Sequence, residues 1–260
     1  MTEDVYLETS GSIATIVLNR PHKRNALTLG MWRRLPELLV AFEADADRKV
    51  LILRGAGDKA FSAGADISEF ETLRATPEAN EKYNEVADRA QETLAGLSKP
   101  TIALIRGACV GGGCGLAVSC DLRVCGPSAR FAITPAKLGI VYPVSLTKRL
   151  VDLVGPAQAK AMLFTGAALT ARQAYERGLV NDVYEDDAVE AEAVALAETI
   201  ATRAPYSIRA TKQVISLITA GLTKESDETL AIRTRAVDTE DYREGVRAFL
   251  EKRPAVFTGR

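Results

Sequence analysis

The hydrophobic positions change their period several times along the chain. Two runs rich in β-branched residues, 5–8 and 12–18, flank Ser10-Gly11 and predict a hairpin that starts a sheet. Met31, Leu35, Leu38, Leu39 and Phe42 then recur at helical spacing behind Thr28, whose hydroxyl can cap the helix, while Pro36 argues against a regular first part. The apolar residues 50–53 predict a short buried strand. A second cycle follows: a helix near 80–97, a break at Lys99-Pro100, and a strand at 101–105. A third runs from Gly111-Gly112-Gly113 through a short apolar helix to a strand at 122–125. Cycles of strand and helix predict an α/β core whose functional groups sit on loops that follow strands. From about residue 188 the pattern is helical only, with Ala-rich and charged stretches at 187–202, 205–220 and 240–252. The chain thus divides into a core, 1–187, and a helical C-terminal region, 188–260, expected to pack on the core, on a neighbouring subunit or on both.

Composition narrows the partners. The 260 residues carry 33 Lys+Arg against 34 Asp+Glu, a net charge of −1, with no basic run, so nothing attracts nucleic acid. The uncharged stretch 107–120 has 14 residues and five glycines, too short and too glycine-rich to cross a membrane. The acidic start Met1-Thr2-Glu3-Asp4 leads directly to a strand with no signal or transit pattern, which makes a cytoplasmic location the expectation. Cys109, Cys114, Cys120 and Cys125 form no CxxC pair, and the one histidine, His22, lies in a polar turn. Small buried thiols are expected rather than a metal or disulfide site, and Ser-His-Asp chemistry is remote.

Two loops carry the candidate chemistry. Lys59 to Ile67 follows the strand at 50–53 with small residues and opens an acidic helix; Arg106 to Gly115 follows the next strand and opens the apolar one. Small side chains let a ligand approach main-chain N–H groups, and a helix N-terminus adds the positive end of a dipole. Two such loops on one sheet edge can hold an oxyanion between two N–H donors. Each glycine cluster alone equally suits a tight turn or close helix packing. Neither is a phosphate loop, because no Lys-Ser/Thr follows and no GxGxxG unit is formed.

At these loops the chain resembles the crotonase superfamily, the enoyl-CoA hydratase/isomerase family. The resemblance begins at Asn19-Arg20-Pro21 and Asn25-Ala26-Leu27 and continues through Phe61-Ser62-Ala63-Gly64-Ala65-Asp66-Ile67, Gly111-Gly112-Gly113-Cys114 and Cys120-Asp121. It extends through Lys137-Leu138-Gly139, Phe164-Thr165-Gly166 and Gly178-Leu179-Val180 to the segment 244–253. It implies a crotonase-like spiral of ββα units with a helical C-terminal trimerisation region, assembled as a homotrimer or a dimer of trimers. The implied substrate is an acyl-CoA, with coenzyme A arriving as part of it and no metal or redox cofactor. By positional match, the N–H groups of Ala65 and Gly112 hold the thioester oxygen, and Arg24, Ala26, Ala63, Asp66 and Ile67 line the CoA groove. From the residues alone, Arg24 also fits a solvated turn cation and Ile67 an ordinary core position.

The same match exposes two replacements. Hydratases of the family add water with two glutamates, one directly after the glycine run and one four residues before the glycine of the Leu-Gly pair; here these positions hold Gly115 and Pro135. Neither side chain transfers a proton. Glu69 is a candidate substitute, though near a helix start it also serves as a partner of the dipole. A site that stabilises an enolate without removing a proton from carbon suits decarboxylation of a malonyl-type thioester. The segment 131–142 resembles methylmalonyl-CoA decarboxylase relatives at Thr134-Pro135 and Tyr142, which implies that Tyr142 orients the substrate carboxylate or shepherds a proton and that Thr134 donates a hydrogen bond. From the residues alone, Tyr142 also fits a packed ring with its hydroxyl at the surface. Ala65 and Gly115 depart from that subgroup, where a histidine and a glutamate can stand. A divergent hydratase/isomerase, a thioesterase and a catalytically silent acyl-CoA-binding homologue are the alternatives. An RNA-binding role would want a basic helix, which the balanced C-terminal charges do not provide.

Overall fold

In the computed structural model, residues 3–260 are described, so Met1 and Thr2 of the acidic start lie outside. The strands β1 (Val5–Ser10) and β2 (Ile13–Leu18) form the expected antiparallel hairpin. The helix α1 (Leu29–Ala44) follows, with Thr28 accepting from the Met31 N–H at 3.2 Å. It runs through Pro36 as one helix, its face of Met31, Trp32, Leu35, Leu38, Leu39 and Phe42 buried. That burial outweighs the one hydrogen bond that proline removes.

The chain then repeats one unit. The strand β3 (Val50–Gly55) leads to β4 (Ala60–Ser62) and the helices α2 (Phe70–Leu73) and α3 (Pro77–Ala95). The strand β5 (Thr101–Ile105) leads to β6 (Ala108–Val110) and α4 (Gly112–Ser119); β7 (Leu122–Cys125) leads to β8 (Arg130–Ala132), α5 (Pro135–Leu138) and α6 (Val144–Thr165). The long strands join one sheet in the order β1-β2-β3-β5-β7-β10, parallel beyond the hairpin, where β10 is Asp182–Val183. The short strands join a second sheet, β4-β6-β8-β9, where β9 is Leu169–Thr170 before α7 (Ala171–Glu176). Each turn of the chain thus gives one strand to each sheet and then a helix, a spiral of ββα units.

Alternation along the long strands buries both faces of the larger sheet. Ile16, Leu18, Leu51, Leu53 and Ile105 face the cluster that includes α1, α3 and α4. Ile13, Val50, Ile52, Ile102, Leu104 and Val124 face the opposite way, against Val189, Ala193, Ala197 and Ala201 of α8 (Val189–Ala201). The alanines of α8 let it lie close to the sheet. The remaining helices, α9 (Pro205–Thr219), α10 (Asp227–Val237) and α11 (Glu240–Leu250), stand outside this core; α9 buries no residue, and Ile215, Ile218, Phe249 and Leu250 are exposed. The four cysteines are buried free thiols, and burial raises the pKa of Cys120 and Cys125 to about 12. Among the described residues, no helix is long and apolar enough to cross a membrane.

Candidate active site

The two candidate loops meet at their glycines. A Cβ on Gly64 would lie 2.8 Å from the Val110 carbonyl oxygen and 3.3 Å from the Gly112 nitrogen, so this contact requires glycine; its φ of +92° requires it too. The segment 24–27 runs beside the first loop. Ala63 N–H donates to Arg24 O at 2.9 Å, Leu27 N–H to Gly64 O at 2.8 Å, and Asp66 N–H to Leu27 O at 2.9 Å. This ladder skips the N–H of Ala65, which has no intramolecular acceptor among the described residues. The N–H of Gly112, at the first position of α4, has no intrahelical acceptor either. A Cβ on Gly112 would be 3.7 Å from the Ala65 nitrogen, which places the two unengaged donors side by side.

Both open onto a cavity of about 380 Å³. Ala63, Ala65, Ile67 and Gly112 line it, as do Thr134, Pro135 and Tyr142 from the segment that precedes α6. Arg24, Ala26 and Asp66 do not. Arg24 is an exposed residue with φ +50° at the end of a single 3-10 turn, and its carbonyl anchors the loop. The Asp66 carboxylate is committed inside the loop: it accepts from Arg20 Nη1 at 2.8 Å and from the Ser68 hydroxyl at 2.6 Å. The Ser68 and Arg20 hydrogen bonds hold its pKa at about 2. Ile67 is 62% exposed, so it belongs to the cavity rim and not to the core. Glu69 is also spoken for, accepting from the Leu29 N–H at the start of α1 at 2.8 Å.

The space of the first missing glutamate is filled from across the cavity. A Cβ on Gly115 would meet Leu146 Cδ1 at 3.0 Å, the Tyr142 hydroxyl at 3.2 Å and Gln91 Nε2 at 3.3 Å. Burial raises the pKa of Tyr142 far above the ordinary phenol value, so at neutral pH it is a neutral hydroxyl. Neither this hydroxyl nor Gln91 Oε1 has a hydrogen-bond partner among the described residues, although both are buried. Thr134 starts α5 without its hydroxyl oxygen accepting from a helix N–H, and Pro135 occupies the first helical position, where a missing N–H costs nothing.

The helix α3 supplies the other wall, and most of it is not apparent in the sequence. Asn80, Asn84 and Asp88 form one row at helical spacing, and Tyr83, Ala87 and Gln91 form the next. The Trp32 indole, 3.0 Å from the point where a Cβ on Gly112 would lie, donates from Nε1 to the Tyr83 hydroxyl at 3.2 Å. Desolvation pushes the Tyr83 pKa up to about 12. Arg74, just after α2, lies over the rings of Phe70 and Tyr83 at 4.3 and 5.0 Å, and burial lowers its pKa. The pKa of Asp88 is raised, first by desolvation and then by Glu92.

Comparison with known proteins agrees with this architecture. The sequence profile described as enoyl-CoA hydratase/isomerase matches residues 8–260. A solved structure from Hyphomonas neptunium, assigned to the enoyl-CoA hydratase/isomerase family, is 43% identical with a TM-score of 0.97, covering 100% of this chain and 99% of that one. The short-chain-enoyl-CoA hydratase of Clostridium acetobutylicum is 35% identical over 96% of this chain and 95% of its own. The crotonyl-CoA hydratase of Syntrophomonas wolfei is 34% identical over 98% of both.

Proposed function

The chain belongs to the enoyl-CoA hydratase/isomerase family, with the crotonase fold, and from that premise we propose a specific chemistry for its acyl-CoA site. The N–H groups of Ala65 and Gly112 hold the thioester oxygen, and the enolate they stabilise arises by loss of CO₂ from a malonyl-type CoA thioester. In that step the bond between the carboxylate carbon and the α-carbon breaks. Its electron pair enters the enolate, and the developing oxyanion meets two preorganised donors. A carbon base is not required. The observation that carries this reading is the environment of Gly115, where Leu146, Tyr142 and Gln91 crowd the point at which a side chain would begin, at 3.0, 3.2 and 3.3 Å.

Tyr142, neutral and unpartnered, supplies a hydrogen bond to the substrate carboxylate, and the Thr134 hydroxyl a second. Arg24, Ala26, Ala63 and Ile67 contact the CoA portion, while Asp66 shapes the loop. No cofactor beyond the CoA of the substrate is called for, and the working assembly is a homotrimer or dimer of trimers, supported by the exposed apolar residues of α9 and α11. The test is CO₂ release from malonyl-, methylmalonyl- and ethylmalonyl-CoA. Release from at least one supports the reading, and release from none overturns it.

One observation favours a second reading. Asp88 is a carboxyl group on the cavity wall with a raised pKa, a position from which it can exchange protons with a bound acyl group. Hydration or double-bond migration through Asp88 also fits the names of the hydratase relatives. Turnover of enoyl-CoA substrates that disappears in Asp88→Asn would favour it over decarboxylation.

A further inference from the structure

The cavity wall carries a charge that the protein itself does not neutralise. Arg74 Nε donates to Asn80 Oδ1 at 2.6 Å and Nη2 to Asn84 Oδ1 at 3.2 Å, while Nη1 has no acceptor among the described residues. The aromatic faces of Phe70 and Tyr83 hold the guanidinium plane from the sides. These contacts fix its direction but supply no negative charge, and among the described residues no carboxylate lies within ion-pair distance. The neighbouring acids are otherwise engaged: Asp66 pairs with Arg20, and Glu69 caps α1. Asp88, the acid on the same wall, stands one helical turn beyond Asn84 and makes no ion pair with Arg74. A half-buried cation without a counter-ion is costly to retain for folding alone.

Its place relative to the oxyanion donors is set by a relay of rings. Trp32 packs against Gly112, Tyr83 accepts from Trp32, and Arg74 lies against the Tyr83 ring. Arg74 lines the same cavity as Ala65 and Gly112, so an acyl chain whose carbonyl sits between those two donors can meet it with its far end. A cavity-lining guanidinium already oriented by two amides, with one NH₂ that has no acceptor among the described residues, is shaped for a carboxylate. We propose that Arg74 selects acyl-CoA thioesters whose acyl chain ends in a second carboxylate, the monothioesters of dicarboxylic acids. The proposal rests on the thioester seat described above but not on the bond that is broken there.

Trp32 is the one tryptophan of the chain and lines the cavity, so its fluorescence reports binding directly. Titrations would pair neutral and acidic chains of equal length: pentanoyl- with glutaryl-CoA, and hexanoyl- with adipyl-CoA. The wild type is expected to bind at least one acidic member about tenfold more tightly than its neutral counterpart, with the preference shrinking as salt is raised. Arg74→Gln should abolish the preference, read as the ratio of acidic to neutral binding, and Arg74→Lys should keep part of it. Equal binding of neutral and acidic chains by the wild type, which needs no variant to fold, would overturn the proposal and leave the thioester seat standing. So would a preference that survives in a folded Arg74→Gln protein. Failure of every thioester to bind would instead remove the seat itself, and the proposal with it.

Discussion

The Tyr142 hydroxyl lies 3.2 Å from the point at which a side chain on Gly115 would begin. The two positions are thus coupled: a tyrosine hydroxyl can occupy this site because residue 115 has no side chain. Returning a glutamate to 115 does not simply restore the hydratase arrangement. Gly115→Glu should overpack the cavity floor and lower stability by about 1–3 kcal/mol, without producing crotonyl-CoA hydration. The wild type itself should be a poor crotonyl-CoA hydratase, since each positioned acid/base group is commonly worth about 10²–10⁴-fold. Thermal melts and a hydration assay check both statements, and wild-type turnover on the order of 10³ per second would refute the second.

Tyr142→Phe removes a buried hydroxyl that has no hydrogen-bond partner among the described residues. Stability should therefore stay level or rise by up to about 1 kcal/mol, while CO₂ release from the malonyl-type substrate falls steeply. Unchanged turnover in the phenylalanine variant would reduce Tyr142 to a packing residue.

Gly112→Pro deletes one donor of the hole at a helix position where proline is tolerated by the backbone. Turnover should fall about 10²–10³-fold. The added ring also presses on Trp32, so Gly112→Ala, which keeps the N–H but makes the same 3.0 Å approach, serves as the control. If both variants lose activity equally, the loss belongs to the tryptophan and not to the donor.

Asp66 makes stability depend on pH in a defined window. Its folded pKa of about 2 is below the ordinary aspartate value of 3.8, so its contribution is complete above about pH 4 and is lost as pH falls through the folded value. Asp66→Asn should be less stable at neutral pH and should flatten the acid limb of the stability profile between these values. An unaltered acid limb would show that the Arg20 and Ser68 contacts do not set it.

The assembly is checked by light scattering at micromolar concentration, with a mass of three chains or a multiple of three expected. A stable monomer would contradict it. In that case Ile215, Ile218, Phe249 and Leu250 would face water permanently, at the usual cost of exposed apolar area.

Legibility in the sequence varied with the kind of signal each residue leaves. Ala65 and Gly112 are visible only through the match of their loops to a family, since small residues after a strand equally suit a tight turn or close helix packing, whereas the long strands are visible through their apolar runs. The second sheet is not: β4, β6 and β8 span three residues each, too few to show a period, so two of them read as loops. Asn80, Asn84 and Asp88 look like the solvated side of an amphipathic helix, and Arg74 like a cation in the turn before it. Gln91 carries the one available hint, a polar residue in the row of Tyr83, Ala87 and Leu94. Even there, sequence does not say that the row faces a cavity and not the core. The Asp66 side chain is a reverse case, since its place in a recognisable loop motif gives no indication that the carboxylate turns inward to Arg20.

The contact of Gly64 with the Val110–Gly112 loop joins consecutive coils of the chain. Its two N–H donors come from different coils, so a molecule that has completed its helices and its N-terminal hairpin is still inert. Thioester binding recovered during refolding would therefore count the molecules in which β4 has paired with β6, and would serve as a clock for that long-range step, separate from the return of helical signal.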